Sequence, residues 1–321
     1  MGLTVVTLGG ALAPEGEALL AQAGIKSVAT QSYPAKDEVI ALLAQTQADA
    51  LVVRLVERLD RDIMQASPKL KIIAKHGAGT NDIDVAAASA LNIPVIAAVG
   101  ANAHSVAEHT IALMLGLAKD MRNQDEFVRR GGWDKTFYKG RELRGSVLGL
   151  IGAGMIGRLV AGMARALGLS VLCYDPYAPA GSLGEGIERT DSLESLLRQS
   201  DIVSLHCPLT EATRGLINAR TLALMKPSAF LINTARGEVV EEPALLAALT
   251  GRRIAGAGLD SFAQEPPAAD NPLWGLDNVI VSSHCGGGTP EARREVSLMS
   301  VRNVMAFLNG EVLAQRLFVK G

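Results

Sequence analysis

The sequence predicts an α/β fold of two doubly wound parallel-sheet domains. Three observations carry that expectation. Strand-like apolar runs alternate with helical ones along the chain. The 321 residues suffice for two domains of ordinary size and exceed one small core. Hydrophobic residues make up 48% and aromatic ones 4%, so Ala, Leu, Val and Ile build the interior. Such a composition suits parallel strands covered by helices on both faces.

The first strand runs are Thr4–Leu8, Ala50–Val53, Leu70–Ala74 and Ile93–Ile96. A long helix is predicted over Asn102–Arg130, apolar around most of its circumference through Ala107, Ile111, Leu113, Met114, Leu115, Leu117 and Ala118. A helix of that kind is buried on several sides and suits a crossing between lobes. Further strands begin at Val147, Ser170, Ile202, Phe230, Ile254 and Val279. Pro290–Leu308 forms a second long helix, with Pro290 in its first turn, that returns the chain to the first lobe. The expected layout is a discontinuous domain of residues 1–101 and 289–321 with a second domain, 102–288, inserted between its parts. Low-complexity tracts and short-period repeats are not evident.

The net charge of −2 supplies no basic field for nucleic acid or a membrane surface. The first ten residues lack a charged segment followed by an apolar core, and no apolar run approaches the ~20 residues of a membrane span. Cys173, Cys207 and Cys285 form no CxxC or paired spacing, which fits a reducing compartment. The expectation is a cytoplasmic protein with no nucleic-acid or membrane partner.

The most specific local signal is the segment from Leu148 to Asp175. Val147–Ile151 reads as a buried strand that runs into Gly152-Ala-Gly154-Met155-Ile156-Gly157. The glycines permit a tight turn, backbone approach to a pyrophosphate, and close packing of helix on strand. The phosphates would rest on the N-terminus of a helix over Ile156–Leu167, where unsatisfied N–H groups favour an anion. Asp175 ends the next strand, eighteen residues after Gly157. Its carboxylate suits the ribose hydroxyls and would repel a 2′-phosphate, which favours NAD over NADP.

Downstream, Arg236, Glu265 and His284 sit where parallel strands end, the usual ligand edge of such sheets. Arg236 can clamp a carboxylate in bidentate fashion. His284, beside a run of glycine, is suited to exchange a proton near neutral pH. Glu265 could accept the second imidazole N–H, fixing the tautomer and favouring the charged ring. His104 and His109 lie about 140° apart on a helix, so both cannot readily bind one ion, and no metal is expected. Glu108, four residues after His104, reads as a helix-face partner.

Together, Gly152–Gly157 with Asp175, Asn233-Thr-Ala-Arg-Gly-Glu-Val-Val240, Gly258-Leu-Asp-Ser-Phe-Ala-Gln-Glu-Pro266, His284 and Gly100-Ala-Asn-Ala-His-Ser-Val-Ala-Glu-His109 resemble the D-isomer-specific 2-hydroxyacid dehydrogenases. The resemblance covers essentially the whole chain. It implies a Rossmann NAD domain inserted in a flavodoxin-like substrate domain, and a homodimer built around the helix after Asn102. It assigns catalysis to Arg236, Glu265 and His284: the arginine holds a 2-keto acid, the nicotinamide delivers hydride, and the histidine protonates the alkoxide. It further implies Ser105, Thr234 and Asp260 near the nicotinamide and its ribose, and His206 with Pro208 on the adenine side. The loop Gly77-Ala78-Gly79-Thr80 would receive the substrate carboxylate on its backbone N–H groups. Two departures, Asn81-Asp82 where the family has the reverse order and Ser283 where it has Pro, bear on loop geometry and substrate fit.

Arg54 and Lys75 end predicted strands, and if those strands are neighbours their cations meet and suit a second anionic group on the substrate. This resembles 3-phosphoglycerate dehydrogenases and makes 3-phosphoglycerate/phosphohydroxypyruvate the leading substrate pair. A chain ending at Gly321 is expected to lack the regulatory domains of longer members. The alternative treats Arg54 and Lys75 as ordinary strand-end charges, with glyoxylate, hydroxypyruvate or another small 2-keto acid as substrate. Glu265, where formate dehydrogenases of this superfamily carry Gln, disfavours formate, and phosphite oxidation remains a minor alternative. From a different class, an NAD-sensing regulatory binding protein would use the same fold.

Overall fold

A computed structural model describes residues 2–179 and 181–319. The outer limits of the expected first domain, residues 1 and 321, lie outside the described residues. The chain forms two compact units, Met1–Asn102 with Gly288–Gly321, and Ala103–Gly287.

The first unit runs β1 (Thr4–Leu8), α1 (Pro14–Gln22), β2 (Lys26–Ala29), α2 (Lys36–Thr46), β3 (Ala50–Val53), α3 (Arg61–Gln65), β4 (Ile72–Lys75), α4 (Val85–Ala90) and β5 (Val95–Ala97). Its sheet has the order β2-β1-β3-β4-β5, with every pairing parallel. Alternate residues supply two cores. Val6, Leu8, Leu51, Val53 and Ile73 face one side, and Val5, Ala50, Val52, Ile72 and Ala74 face the other. Burial on both faces explains why these strands read as unbroken apolar runs.

The second unit opens with α5 (Ala103–Ala118) and α6 (Met121–Arg129). It continues through β6 (Val147–Ile151), α7 (Met155–Ala166), β7 (Ser170–Tyr174), β8 (Ile187–Arg189), α8 (Leu193–Gln199), β9 (Ile202–Leu205) and α9 (Ala219–Leu222). It closes with β10 (Phe230–Asn233), α10 (Glu242–Thr250), β11 (Gly256–Leu259) and β12 (Val279–Val281). All strands are parallel in the order β12-β11-β10-β9-β6-β7-β8. The remaining long helix, α11 (Pro290–Leu308), belongs to the first unit, where it carries Val301 and Val304 into the core beside Ile72. Its N-cap Thr289 accepts a hydrogen bond from Ala292 N at 3.1 Å.

In each sheet the strand order reverses between two neighbours, at β1/β3 and at β6/β9. Ligands of open α/β sheets bind beyond the carboxyl ends of such strands. Arg54 stands at the first of these positions, and Gly152 with His206 at the second.

Three sequence expectations are corrected. β2 and β8 were not expected, because both lie at sheet edges and are largely exposed, so neither presents an apolar run. The expected helix over Asn102–Arg130 is two helices, broken at Asp120, whose φ is +51°. The apolar surface ends with α5, whereas α6 buries none of its residues and carries the i,i+4 ion pairs Arg129–Asp125 and Arg130–Glu126. Several strand limits shift by one or two residues, as where Ile93–Ile96 becomes Val95–Ala97.

Candidate active site

The glycine loop forms first. Gly152 has φ +98°, and a Cβ there would come within 2.8 Å of the His206 carbonyl, so β6 and β9 approach only because the residue is glycine. At Gly157 a Cβ would strike the carbonyl oxygen of Gly152, so the helix start packs directly on the turn. A Cβ at Gly154 would meet nothing within 4 Å, which leaves open the direction from which a pyrophosphate approaches. Gly154 is the N-cap of α7, with no side-chain cap and no acid in the first turn. The first-turn N–H groups therefore remain available to an anion. Met155 is exposed and Ile156 packs partly into the core.

Asp175 closes the loop from β7. One carboxylate oxygen accepts from Ala153 N at 2.8 Å, and the other from Tyr177 N and Ala178 N at 3.0 and 3.1 Å. It thus shapes the turn as well as presenting charge at the strand end. His206, just past β9, has Ser204 Oγ at 2.9 Å, and loss of water around the ring lowers its pKa to about 4. Pro208 follows in the same loop, where its carbonyl accepts from Thr213 Oγ1 at 2.6 Å.

Arg236, Glu265 and His284 belong to one unit and come together past β10, β11 and β12. Asn233 shapes the first turn: its side chain accepts from Ala235 N at 3.0 Å and donates to the Arg236 carbonyl at 2.9 Å. A Cβ at the next residue, Gly237, would collide with the Phe262 backbone, so glycine lets the Arg236 loop lie against the loop that carries Glu265. Glu265 accepts from Phe262 N at 3.0 Å through one oxygen and meets His284 Nδ1 at 2.7 Å through the other. The hydrogen bond that Glu265 accepts from the ring raises the His284 pKa, opposed by partial burial and by Arg236. Burial pushes the Glu265 carboxyl up, yet the bonds from His284 and Phe262 N outweigh it and leave it lowered. His284 itself holds φ +53°, a left-handed conformation uncommon for a side-chain-bearing residue.

Asp260, at the end of β11, is buried and gathers four donors. It accepts from Ser282 Oγ at 2.6 Å and from Cys285 N and Gly286 N at 2.9 Å each, while His109 Nε2 lies 3.5 Å away. Burial alone would raise its pKa, but these donors hold it at about 2. His109 Nε2 also meets Ser282 Oγ at 2.8 Å. Thr234 is buried, with its hydroxyl 2.9 Å from Thr110 Oγ1, which donates to the Val106 carbonyl and so binds the β10 loop to α5. Ser105 is half-buried in the first turn of α5. His104 pairs with Glu108 at 3.2 Å on the exposed face of that helix.

In the first unit, β3 and β4 are neighbours, so Arg54 and Lys75 do stand side by side. Lys75 is nevertheless committed: its ammonium binds the Asp82 carboxylate and donates to the Arg54 carbonyl at 3.0 Å. The expectation of two available cations is corrected to that extent. The cation that faces Arg54 is Arg293 of α11: burial, then repulsion by Arg293, lowers the Arg54 pKa. Arg54 donates to the Ala11 carbonyl, and among the described residues neither arginine has a carboxylate within ion-pair distance. His76 is held neutral, lowered to about 3 by burial and by Arg54, with Ser297 Oγ at 2.9 Å. Ala78 is exposed and Gly79 half-buried, and among the described residues no hydrogen bond occupies their N–H groups.

Sequence reasoning gave no role to Arg293, Ser282, Asn233 or Thr110. His109 was weighed only with His104, although its place in the motif after Ser105 offered a signal. Arg293, Ser282 and Thr110 become visible only when distant segments meet, whereas the Asn233 bonds are local to its own turn.

A parallel sheet with an uncapped glycine-loop helix and an acid on the adjoining strand defines a dinucleotide-binding domain. A sequence model described as the D-isomer specific 2-hydroxyacid dehydrogenase NAD binding domain matches residues 111–286. The chain is 39% identical over 323 residues to a D-3-phosphoglycerate dehydrogenase of Mycobacterium bovis, covering all of this chain and 60% of that protein. It is 40% identical over 277 residues to a hydroxypyruvate reductase of Thermotoga maritima, covering 86% of this chain and 89% of the other. The solved structure of the TT0316 protein from Thermus thermophilus superposes with a TM-score of 0.88 at 32% identity, covering 96% of this chain and 97% of the other. The chain belongs to the D-isomer specific 2-hydroxyacid dehydrogenase family, and its second unit carries the family's NAD-binding Rossmann fold. It spans between about half and 60% of the length of the mycobacterial phosphoglycerate dehydrogenases it matches. Among the described residues no helix is long and apolar enough to cross a membrane.

Proposed function

We propose that this chain is an NAD-dependent oxidoreductase that interconverts a D-2-hydroxy acid and its 2-keto acid, with His284 as general acid and base. The observation that carries this reading is the 2.7 Å bond between His284 Nδ1 and Glu265 Oε2 beside Arg236. With Nδ1 engaged, Nε2 is the nitrogen that exchanges a proton with the substrate oxygen. Glu265 favours the charged ring, so in reduction the proton is in place when alkoxide develops at C2. In oxidation, the neutral ring takes the hydroxyl proton. Arg236 presents a planar fork to the substrate carboxylate. NAD, when bound, accepts or supplies the hydride. The α7 N-terminus would hold its pyrophosphate, Asp175 its adenosine ribose, Asp260, Thr234 and Ser105 its nicotinamide side, and His206 with Pro208 its adenine side.

For the substrate, Arg54 and Arg293, which have no carboxylate partner among the described residues, and the N–H groups of Ala78 and Gly79, unoccupied among the same residues, support a second anionic group, and 3-phosphoglycerate/phosphohydroxypyruvate leads. The Lys75–Asp82 pair removes one cation and favours the second reading, hydroxypyruvate or glyoxylate. Initial rates of NADH oxidation with phosphohydroxypyruvate, hydroxypyruvate, glyoxylate and pyruvate separate these readings. The leading one expects preference for the phosphorylated acid and a loss of about 10–100-fold in kcat/KM in Arg54→Ala, the worth of one charged hydrogen-bond donor. Preference for an unphosphorylated acid, unchanged in Arg54→Ala, supports the second. Tight NADH binding without turnover of any acid would contradict both and favour an NAD-sensing regulatory protein.

The three unpaired cysteines suit a reducing, cytoplasmic setting. A homodimer is supported by Met121, Val128, Trp133 and Tyr138, exposed together on the segment after α5. Light scattering at micromolar concentration tests it, and a monomer mass would refute it.

A further inference from the structure

We propose that His109, Asp260 and Cys285 form an inhibitory binding site for a borderline-soft divalent cation, of which Zn2+ is the type. Their donor atoms, an imidazole nitrogen, a carboxylate oxygen and a thiol sulfur, all lie within 4.8 Å of one another. Two donors on one tetrahedral zinc are separated by about 3.4 Å, given bond lengths near 2.1 Å. His109 Nε2 and Asp260 Oδ1 already stand 3.5 Å apart. Only the Cys285 sulfur needs to move inward, and Cys285 is exposed with a single side-chain torsion to turn.

The surroundings keep the donors together. Gly286 leaves the room: a Cβ there would come within 2.9 Å of Asp260 Oδ2 and 3.1 Å of the His109 ring. The Asp260 carboxylate is buried, and the donors around it from Ser282, Cys285 N and Gly286 N are neutral, so a cation would supply the charge that these partners lack. Ser282 Oγ, which bridges His109 and Asp260, would yield its place to the ion or complete its coordination. A nitrogen, oxygen and sulfur set selects Zn2+ or Co2+ over Mg2+ and Ca2+, which prefer oxygen alone.

The ion would occupy the Asp260 carboxylate and anchor the residue next to His284. Binding is thus expected to exclude NADH and stop turnover. The inhibition rests on the dehydrogenase reading above, whereas binding of the ion does not, so the two can fail separately.

The test uses the full chain with ZnCl2 or CoCl2 alone, followed by calorimetry and absorbance, and compares wild type with Cys285→Ser. That variant keeps the backbone N–H that Asp260 accepts. The expected result is one ion per chain in the wild type and a thiolate-to-cobalt charge-transfer band in the near ultraviolet. In Cys285→Ser the band is lost and Zn2+ affinity falls roughly tenfold or more, with NADH binding in metal-free buffer unchanged. Micromolar Zn2+ should inhibit wild-type turnover reversibly with chelator, and the variant should resist it. Absence of stoichiometric Zn2+ in the wild type, absence of the cobalt band, or equal Zn2+ binding in Cys285→Ser would overturn the site. Binding with all these signatures but without inhibition would overturn its inhibitory role.

Discussion

The candidate pair, His284 and Glu265, is held in place by local constraints on each residue. The Glu265 carboxylate is held by Phe262 N, and His284 itself adopts the left-handed conformation after β12. The pH dependence follows in sign. The His284 pKa is raised chiefly by Glu265, so reduction of the keto acid, which needs the charged ring, is retained below that pKa and lost as pH rises through it. Glu265→Gln removes the largest raising influence. Its alkaline limb should move to lower pH, with kcat for reduction at neutral pH falling on the order of 10–100-fold, at most the lower end of the range for general acid catalysis because His284 itself remains. A pH–rate profile that stays in place would show that Glu265 does not set the charge. The candidate chemistry was legible at this scale because Arg236, Glu265 and His284 each follow an apolar strand. The Asp260 cluster was not, since His109, Asp260 and Ser282 meet only through folding.

At the scale of the element, the glycine loop is a packing device. The Gly157 Cβ position falls on the Gly152 carbonyl, so Gly157→Ala must push the start of α7 away from β6. The N–H groups that would hold pyrophosphate move with it. NADH affinity measured by fluorescence should fall at least tenfold, whereas Gly162→Ala, with nothing within 4 Å of its Cβ position on the same helix, should leave it unchanged. Equal affinity in both variants would mean that the loop does not position the cofactor. The motif was visible in the sequence because its constraints are local and fall on α7 and β7 in turn. Edge strands β2 and β8 were invisible because an exposed edge needs no apolar pattern. The break at Asp120 was missed because the charged residues of α6 keep helical spacing.

For the whole molecule, two parallel sheets with apolar faces on both sides explain how a chain poor in aromatics is stabilised. Leu150 in β6 is fully buried, and Leu150→Ala should cost about 2–5 kcal/mol in chemical unfolding. Acid should weaken the fold early. His206 titrates at about 4 in the folded protein against an ordinary 6.5, and His76 at about 3, so the unfolded chain binds protons that the native one rejects. Stability should therefore fall as pH drops from 6.5 towards 4, and less steeply in His206→Asn. An unchanged slope would mean that His206 is protonated in the folded state. The alternation of strands and helices was readable from the composition of each run. The commitment of Lys75 to Asp82 and the approach of Arg293 to Arg54 were not, because an ion pair and a helix-to-strand-end approach leave no periodic trace. The proposed reaction depends on proton exchange at His284, which is tested by single-turnover reduction of a 2-keto acid by His284→Gln saturated with NADH. NADH binding should stay close to wild type while the chemical step slows by about 10²–10⁴-fold. A chemical step within a few-fold of wild type would contradict it.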